Sequence, residues 1–291
     1  MSNNSKPNFL YIGASKAGSS WIFECMREHP EVYVPEAKDL QFFDRHYRKG
    51  LDWYFSYFNG KEKFKARGEL SHDYFLFPDT AEKIREDLGP NLKFILSLRE
   101  PLDKMISSYK YAKSTYLSNE VTFDSFFWQD DKSLKAGRHR DHNMRKESAL
   151  YAKNIEPFLR FYPKEKFLIL FFDDLKNNPG AFIRKIYDFL GVNPEFEPSV
   201  LNQKILASHK ARNTAMAHFV YDIAGLMRKM GLANMVGAVK RNPFFNKLLY
   251  KKSKQTDKVV IHEKERIKSF YLEDLKQLEA ITGLKVPRNW W

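Results

Sequence analysis

The chain is poor in everything that staples, ligates or anchors a protein. It holds one cysteine, Cys25, in 291 residues, so neither a disulfide framework nor a cysteine-based metal site can form. Cys25 falls in the apolar part of a predicted helix and reads as core filler rather than as a nucleophile. No run approaches the roughly 20 apolar residues that a membrane-crossing helix needs. The first residues, Met1 to Pro7, are polar and carry no apolar signal core, so they are expected to be disordered and the chain cytoplasmic. There is no His-Glu-x-x-His, no Gly-x-Ser-x-Gly and no Cys/His cluster, and the histidines at 29, 46, 139, 142, 218 and 262 lack ligand spacing; no metal is expected. Acidic residues are missing altogether between Asp222 and Asp257, where eight residues are Lys or Arg.

What is plentiful is positive charge and aromatic side chains. The formal net charge is +13, which suits an anionic ligand or partner without choosing among nucleotide, nucleic acid, acidic glycan or membrane surface. With 25 Phe and 15 Tyr, the core is expected to be rich in phenylalanine. The length allows one large α/β domain.

Short apolar runs alternate with helical patterns. Strands are predicted at Asn8–Gly13, Val32–Val34, Arg67–Leu70, Lys93–Leu98 and Lys166–Phe172. Their apolar stretches are continuous rather than alternating, the mark of a parallel sheet covered on both faces. A helix starts at Pro101, with Leu102, Met105, Ile106 and Tyr109 on one face. Further stripes run through Leu150, Ile155, Phe158 and Leu159, and through Phe182, Ile183, Ile186, Phe189 and Leu190 up to Gly191. The expectation is an α/β three-layer fold, P-loop-like, in one domain from residue 8 to 291. Residues 129–146 read as an exposed charged loop. Residues 215–291 read as a helical C-terminal extension, whose basic, Met-rich part is a candidate membrane-surface contact.

The segment Phe9-Leu-Tyr-Ile-Gly-Ala-Ser-Lys-Ala-Gly-Ser-Ser-Trp-Ile22 lays out a strand, a small-residue turn and a helix start. That is a phosphate-binding design, in which backbone N–H groups and the helix dipole meet an anion. Gly13 and Gly18 have P-loop spacing, yet Ser19-Ser20 stands where a nucleoside-triphosphate site has Lys-Ser or Lys-Thr, and the lysine lies inside the loop at Lys16. Arg99 leaves the C-terminal end of a strand, where open α/β sheets place ligands, and Ser107 follows two helical turns later. Both suit a second phosphate; the plain alternative is that Arg99 pairs with Glu100 or Asp103.

These elements, in this order, resemble the sulfotransferases that use 3′-phosphoadenosine 5′-phosphosulfate. Lys38-Asp-Leu-Gln-Phe-Phe-Asp44 and Gly68-Glu-Leu-Ser-His-Asp-Tyr74 are similar to acceptor segments of the heparan-sulfate and bacterial carbohydrate branch. Tyr151, Phe161-Tyr-Pro163, Phe172-Asp-Asp-Leu175 with Pro179, and His209-Lys-Ala-Arg212 continue the likeness over roughly residues 8 to 215. The resemblance implies that Lys16, Ala17, Gly18, Ser19, Ser20, Trp21, Arg99, Ser107, Tyr151, Lys210, Ala211 and Arg212 bind the donor and its product, 3′-phosphoadenosine 5′-phosphate. It implies an acceptor hydroxyl, on a carbohydrate or lipid, met by Lys38, Gln41, Phe42, Phe43, Ser71, His72 and Asp73. His139 and His142 would line its entrance. Lys16 would stabilise charge on the oxygen between phosphorus and sulfur, in place of a metal.

Two residues compete for the role of base. The branch has a glutamate where this chain has Asp39, one methylene shorter, and His72 follows the strand that carries a catalytic histidine in the small-molecule branch. Asp39 is preferred over His72. The rival functions are a nucleotide or small-molecule kinase, disfavoured by Ser19-Ser20, and a basic nucleic-acid-binding module, for which no recognition motif is present.

Overall fold

A computed structural model describes residues 6–115, 117, 120–128, 145–203, 209–211, 223, 227, 250–252 and 258–291. Five strands form one sheet: β1 (Phe9–Gly13), β2 (Val32–Tyr33), β3 (Ala66–Leu70), β4 (Lys93–Leu98) and β5 (Phe167–Phe171). Their order is β2-β3-β1-β4-β5, and every pairing is parallel. Helices connect and cover them: α1 (Ser19–Glu28), α2 (Gly50–Phe55), α3 (Asp79–Leu88), α4 (Pro101–Thr115), α5 (Phe123–Trp128), α6 (Tyr151–Leu159), α7 (Phe172–Asn177) and α8 (Pro179–Leu190). The expected α/β layers and all five strands are present, β4 with the expected bounds.

Strand periodicity divides the core in two. Leu10 and Ile12 of β1 point to one face, with Phe94 and Leu96 of β4 and the apolar sides of α4 and α6. Phe9 and Tyr11 point to the other, with Ile95, Trp21 and Ile22 of α1 and Phe182, Ile183 and Ile186 of α8. β1 and nearly all of β4 are buried on both faces as predicted, whereas β5, at the edge of the sheet, is mostly half-buried. Cys25 is a buried, free thiol in the second layer.

The topology places the site. β1 sends its chain toward the β2–β3 side of the sheet, and β4 sends its chain toward β5. Where connections from two adjacent strands diverge, a crevice opens beyond their C-terminal ends. The two loops at that crevice are 14–18, after β1, and Arg99-Glu100, after β4.

The expected helical C-terminal extension is present, and a short strand pair accompanies it. A strand β6 (His209–Ala211) pairs antiparallel with β7 (Tyr250–Lys252), and the sequence offered no turn signal linking residues so far apart. A long helix α9 (Lys264–Thr282) does follow, packed on α6 and α4. Its Asp274 carboxylate accepts from the Ala152 and Lys153 amides at the start of α6, capping that helix from another element. Lys6, expected within a disordered start, donates to the Asp87 carbonyl at 2.9 Å. The expected charged loop falls, apart from Arg145 and Lys146, outside the described residues, as do His139 and His142 and nearly all of the basic Met-rich segment. No helix among the described residues is long and apolar enough to cross a membrane.

Candidate active site

The turn after β1 is fixed from below by two buried hydroxyls. The Ser97 hydroxyl of β4 lies 2.7 Å from the Ala17 carbonyl, and the Tyr11 hydroxyl lies 3.1 Å from the Ala14 carbonyl. The two hydroxyl oxygens lie 2.6 Å apart, so one of the two protons is shared between them and the other goes to a turn carbonyl, which ties turn and sheet together. Gly18, at φ 93°, is the N-cap of α1; a Cβ there would come within 2.6 Å of Leu175 and would be strained in this conformation. A glycine cap supplies no side-chain hydrogen bond, and the first turn of α1 has no acidic residue. The positive end of the helix therefore faces the crevice without a compensating charge.

Cations gather around that helix end. Lys16, inside the turn, adopts a left-handed backbone at φ 64°. Lys38 Nζ donates to the hydroxyls of Ser19 and Ser20, each at 3.1 Å. The Arg99 guanidinium reaches the Lys16 carbonyl at 3.3 Å and lies over the Phe172 ring at 4.9 Å. It also meets Asp103 at 3.3 Å, the pairing weighed as the plain alternative, but that exposed contact is one of several that hold it. Arg99 Nε and Ser15 Oγ are buried and have no hydrogen-bond partner among the described residues. Two orphaned donors beside an uncapped helix end are what an anion would satisfy.

On the acceptor side the two rivals for the base form one unit. His72 Nδ1 lies 2.6 Å from Asp39 Oδ1, and His72 Nε2 lies 3.3 Å from Asp73 Oδ1. The Asp39 amide donates to the Leu70 carbonyl, and its second oxygen is 3.9 Å from Lys38 Nζ. Asp39 and His72 are partly exposed, at 25% and 20%, so both are reachable from the crevice. Burial works to raise the Asp39 pKa, but the His72 and Lys38 charges and the His72 hydrogen bond hold it well below the carboxylate range. Lys38, expected on the acceptor, thus links the pair to the donor turn.

Several expected contacts prove to be scaffold. Phe42 and Phe43 are 0% exposed; they stack with Tyr54, Trp53 and Tyr74 in the core and cannot touch an acceptor. The run Gln41-Phe-Phe is expected to meet the acceptor, but a left-handed Gln41 at φ 53° opens a π-helical turn (Phe42–His46) that folds both rings inward. Ser71 is buried, donating to Glu69 Oε2 at 2.6 Å and accepting from the Gln41 amide. Asp73 is buried as well, bound by Arg45 at 2.6 Å and by Gln41 Nε2 at 3.3 Å. The Trp21 indole donates to the Val200 carbonyl and packs in the core, leaving only its backbone near the turn. The buried Tyr151 hydroxyl donates to the Arg99 carbonyl at 2.5 Å, so it holds Arg99 rather than a ligand. Ser107 is half-buried on α4. Lys210 and Ala211 lie on β6, which packs beside α4, and Arg212 lies outside the described residues.

Two residues escaped the sequence reading. Lys104 is 0% exposed and donates to Ser148 Oγ at 2.5 Å. Burial, with Lys16 and Arg99 nearby and only partly offset by Asp73, lowers its pKa to about 7. Tyr111 lies against Lys16. The spacing 104, 107, 111 on one helix face carried the signal, but it was masked by the apolar face of the same helix.

A family model described as "Sulfotransferase domain" matches residues 6–276. The chain is 30% identical over 186 residues to the heparan sulfate glucosamine 3-O-sulfotransferase 3B1 of Mus musculus, covering 64% of this chain and 46% of that protein. It is 30% identical over 209 residues to the bifunctional heparan sulfate N-deacetylase/N-sulfotransferase 3 of Homo sapiens, covering 66% of this chain and 23% of that protein. The matches thus span about half, or less, of the length of these curated relatives. A sulfotransferase crystal structure from Alicyclobacillus acidocaldarius superposes with a TM-score of 0.69 at 20% identity, covering 98% of each chain, and shares the fold. With a family model matched over residues 6–276, the chain belongs to the sulfotransferase domain family.

Proposed function

We propose that the chain transfers a sulfuryl group from 3′-phosphoadenosine 5′-phosphosulfate to a hydroxyl group of a carbohydrate. The observation that carries this reading is the uncapped N-terminus of α1, ringed by Lys16, Lys38, Arg99 and the hydroxyls of Ser15, Ser19 and Ser20. Cations and donors without a carboxylate in the first helical turn suit a phosphosulfate. The heparan sulfate named for the relatives supports a carbohydrate acceptor. The kinase and nucleic-acid readings have no comparable support.

The nucleotide, when bound, supplies the activated sulfuryl group. Lys16, Lys38 and the serine hydroxyls would hold its phosphosulfate end, with Arg99 and Ser107 on the second phosphate and β6 alongside. Lys16 offers positive charge where negative charge develops on the leaving side. The Asp39–His72 pair takes the proton of the acceptor hydroxyl. His72, with one ring nitrogen on Asp39 and the other on Asp73, donates to Asp39 Oδ1 and orients that carboxylate, so the pair acts as one base with Asp39 receiving the proton. Asp73, fixed by Arg45 and Gln41, supports the other side of the ring. A cytoplasmic location belongs to the same proposal and is tested by cell fractionation.

The direct test is ligand-induced stabilisation. 3′-Phosphoadenosine 5′-phosphate is expected to raise the melting temperature and ATP with magnesium is not. Lys16→Ala should lose the shift. Equal shifts with both nucleotides, or none, would refute the donor assignment.

A further inference from the structure

The inner side of α4 ends in a residue that the chemistry above does not use. From Lys104 the helix places Ser107 and then Tyr111 on one face, at steps of three and four residues. Lys104 closes the buried end of this row, and Tyr111, at 36% exposed, stands at its open end. Lys16 Nζ sits 3.7 Å from the centroid of the Tyr111 ring. That is the shortest cation–ring distance among the described residues and well inside the limit of about 6 Å for such contacts.

Two further observations make this more than a chance approach. Lys16 holds a left-handed backbone that a lysine adopts only when its surroundings enforce it. Its neighbours are cationic: the Arg99 guanidinium bonds its carbonyl, and the Lys104 amine is close enough to feel its charge. Like charges push the Lys16 ammonium outward, and an aromatic face draws it in. A carboxylate there would also hold the lysine, but it would neutralise the charge and repel an arriving anion. A π face attracts a cation while leaving its charge intact, and it yields readily to a charge-assisted hydrogen bond.

We propose that Tyr111 is a positioning residue: the π face of its ring seats the Lys16 ammonium over the mouth of the donor turn, so that an anion entering the crevice meets a lysine already extended toward it. This rests on the assignment of Lys16 to the donor site. It follows that the ring, and not the phenol hydroxyl, is what matters.

The test compares Tyr111→Phe, which keeps the ring, with Tyr111→Leu, which keeps bulk and removes the π face. In protein whose lysines carry ¹³C-labelled N-methyl groups, the Lys16 resonance is identified by its loss in Lys16→Arg. Ring current should move it upfield in wild type and Tyr111→Phe, and it should return to the ordinary lysine position in Tyr111→Leu. This readout needs neither donor nor turnover. In unlabelled enzyme, Tyr111→Leu should lower kcat about tenfold with donor KM changed less than about threefold, and Tyr111→Phe should stay within about twofold of wild type. A Lys16 resonance at the ordinary position in wild type, or Tyr111→Phe as impaired as Tyr111→Leu, would overturn the proposal. An upfield resonance in protein that binds no 3′-phosphoadenosine 5′-phosphate would uphold the seat and refute the donor assignment instead.

Discussion

Lys104 gives the most quantitative handle on the site. Its amine is fully buried and titrates at about 7 instead of the ordinary 10.5, because burial, Lys16 and Arg99 all disfavour the charged form. The sign follows from proton counting. Between about 7 and 10.5 the unfolded chain keeps this proton while the folded chain has lost it, so stability rises with pH across that window. The cost is fully present below the folded pKa and disappears toward the unfolded one. One pKa unit corresponds to about 1.4 kcal/mol, and integrating these two pKa values from about pH 7 to about pH 9 gives a gain of roughly 2 kcal/mol from this single group.

The perturbation is Lys104→Met, which keeps the length of the side chain and removes the amine. Ser148 is not orphaned, since its hydroxyl still donates to the Arg145 carbonyl at 2.6 Å. Other buried groups also titrate. Glu69 and Asp44 are both raised to about 7, chiefly by burial, so their contribution is lost as pH rises through that value. Those contributions are common to both proteins and cancel in the difference. Urea unfolding at the two pH values is the assay: wild type should gain roughly 2 kcal/mol more than Lys104→Met. Equal gains in the two proteins would show that Lys104 does not titrate in this range and would refute the account of a compressed cationic cluster beneath the donor turn.

Other outcomes follow from the same geometry. Asp39→Asn and His72→Ala should each reduce turnover by about two orders of magnitude or more, and the double variant should be little worse than either, because the pair acts as a unit; additive losses in a double-mutant cycle would mean separate roles. Lys38→Ala should weaken binding of 3′-phosphoadenosine 5′-phosphate several-fold, read by calorimetry, since a charge-assisted contact to Ser19 and Ser20 is lost at the donor turn; unchanged affinity would return Lys38 to the acceptor side. Phe42→Ala should cost about 3–5 kcal/mol in chemical unfolding by opening a cavity in the aromatic cluster, whereas a residue that touched the acceptor would instead change its KM without that loss.

The fold was readable because it is written in short-range signals. Five apolar runs, each ending near Gly, Pro or a charged pair, became five parallel strands, and Pro101 and Gly191 marked a helix start and a helix end as their backbone chemistry requires. The donor side was readable for the same reason, since Gly13 to Ser20 is contiguous and Arg99 directly follows its strand. The acceptor side was not. Gln41-Phe-Phe resembles part of an acceptor segment, and only the turn that follows decides that both rings go inward. Asp39 and His72 are 33 residues apart in sequence, and nothing in either neighbourhood says that β2 and β3 pair in the register after which the two side chains meet at 2.6 Å. β6 and β7 carry the same lesson, since an antiparallel pair formed across a long separation leaves no periodic trace that a linear reading could follow.

The backbone supplies the signal that periodicity withheld. Lys16, Asp39 and Gln41 are the non-glycine residues with positive φ among the described residues, at 64°, 62° and 53°. Each such conformation costs on the order of 1 kcal/mol or more for a residue with a Cβ. A chain selected only for stability would place glycine or asparagine there. All three instead carry polar side chains at one crevice: Lys16 on the donor turn, Asp39 in the base pair and Gln41 holding Asp73 behind it. Replacing Gln41 by Gly should therefore relieve strain yet release Asp73 and Arg45, giving a protein of similar stability and lower turnover. A Gln41→Gly variant that kept full activity would show that the left-handed turn serves folding of the Phe42–Phe43 core alone. Loss of turnover without loss of stability would show that strain at these positions is retained for the chemistry they align.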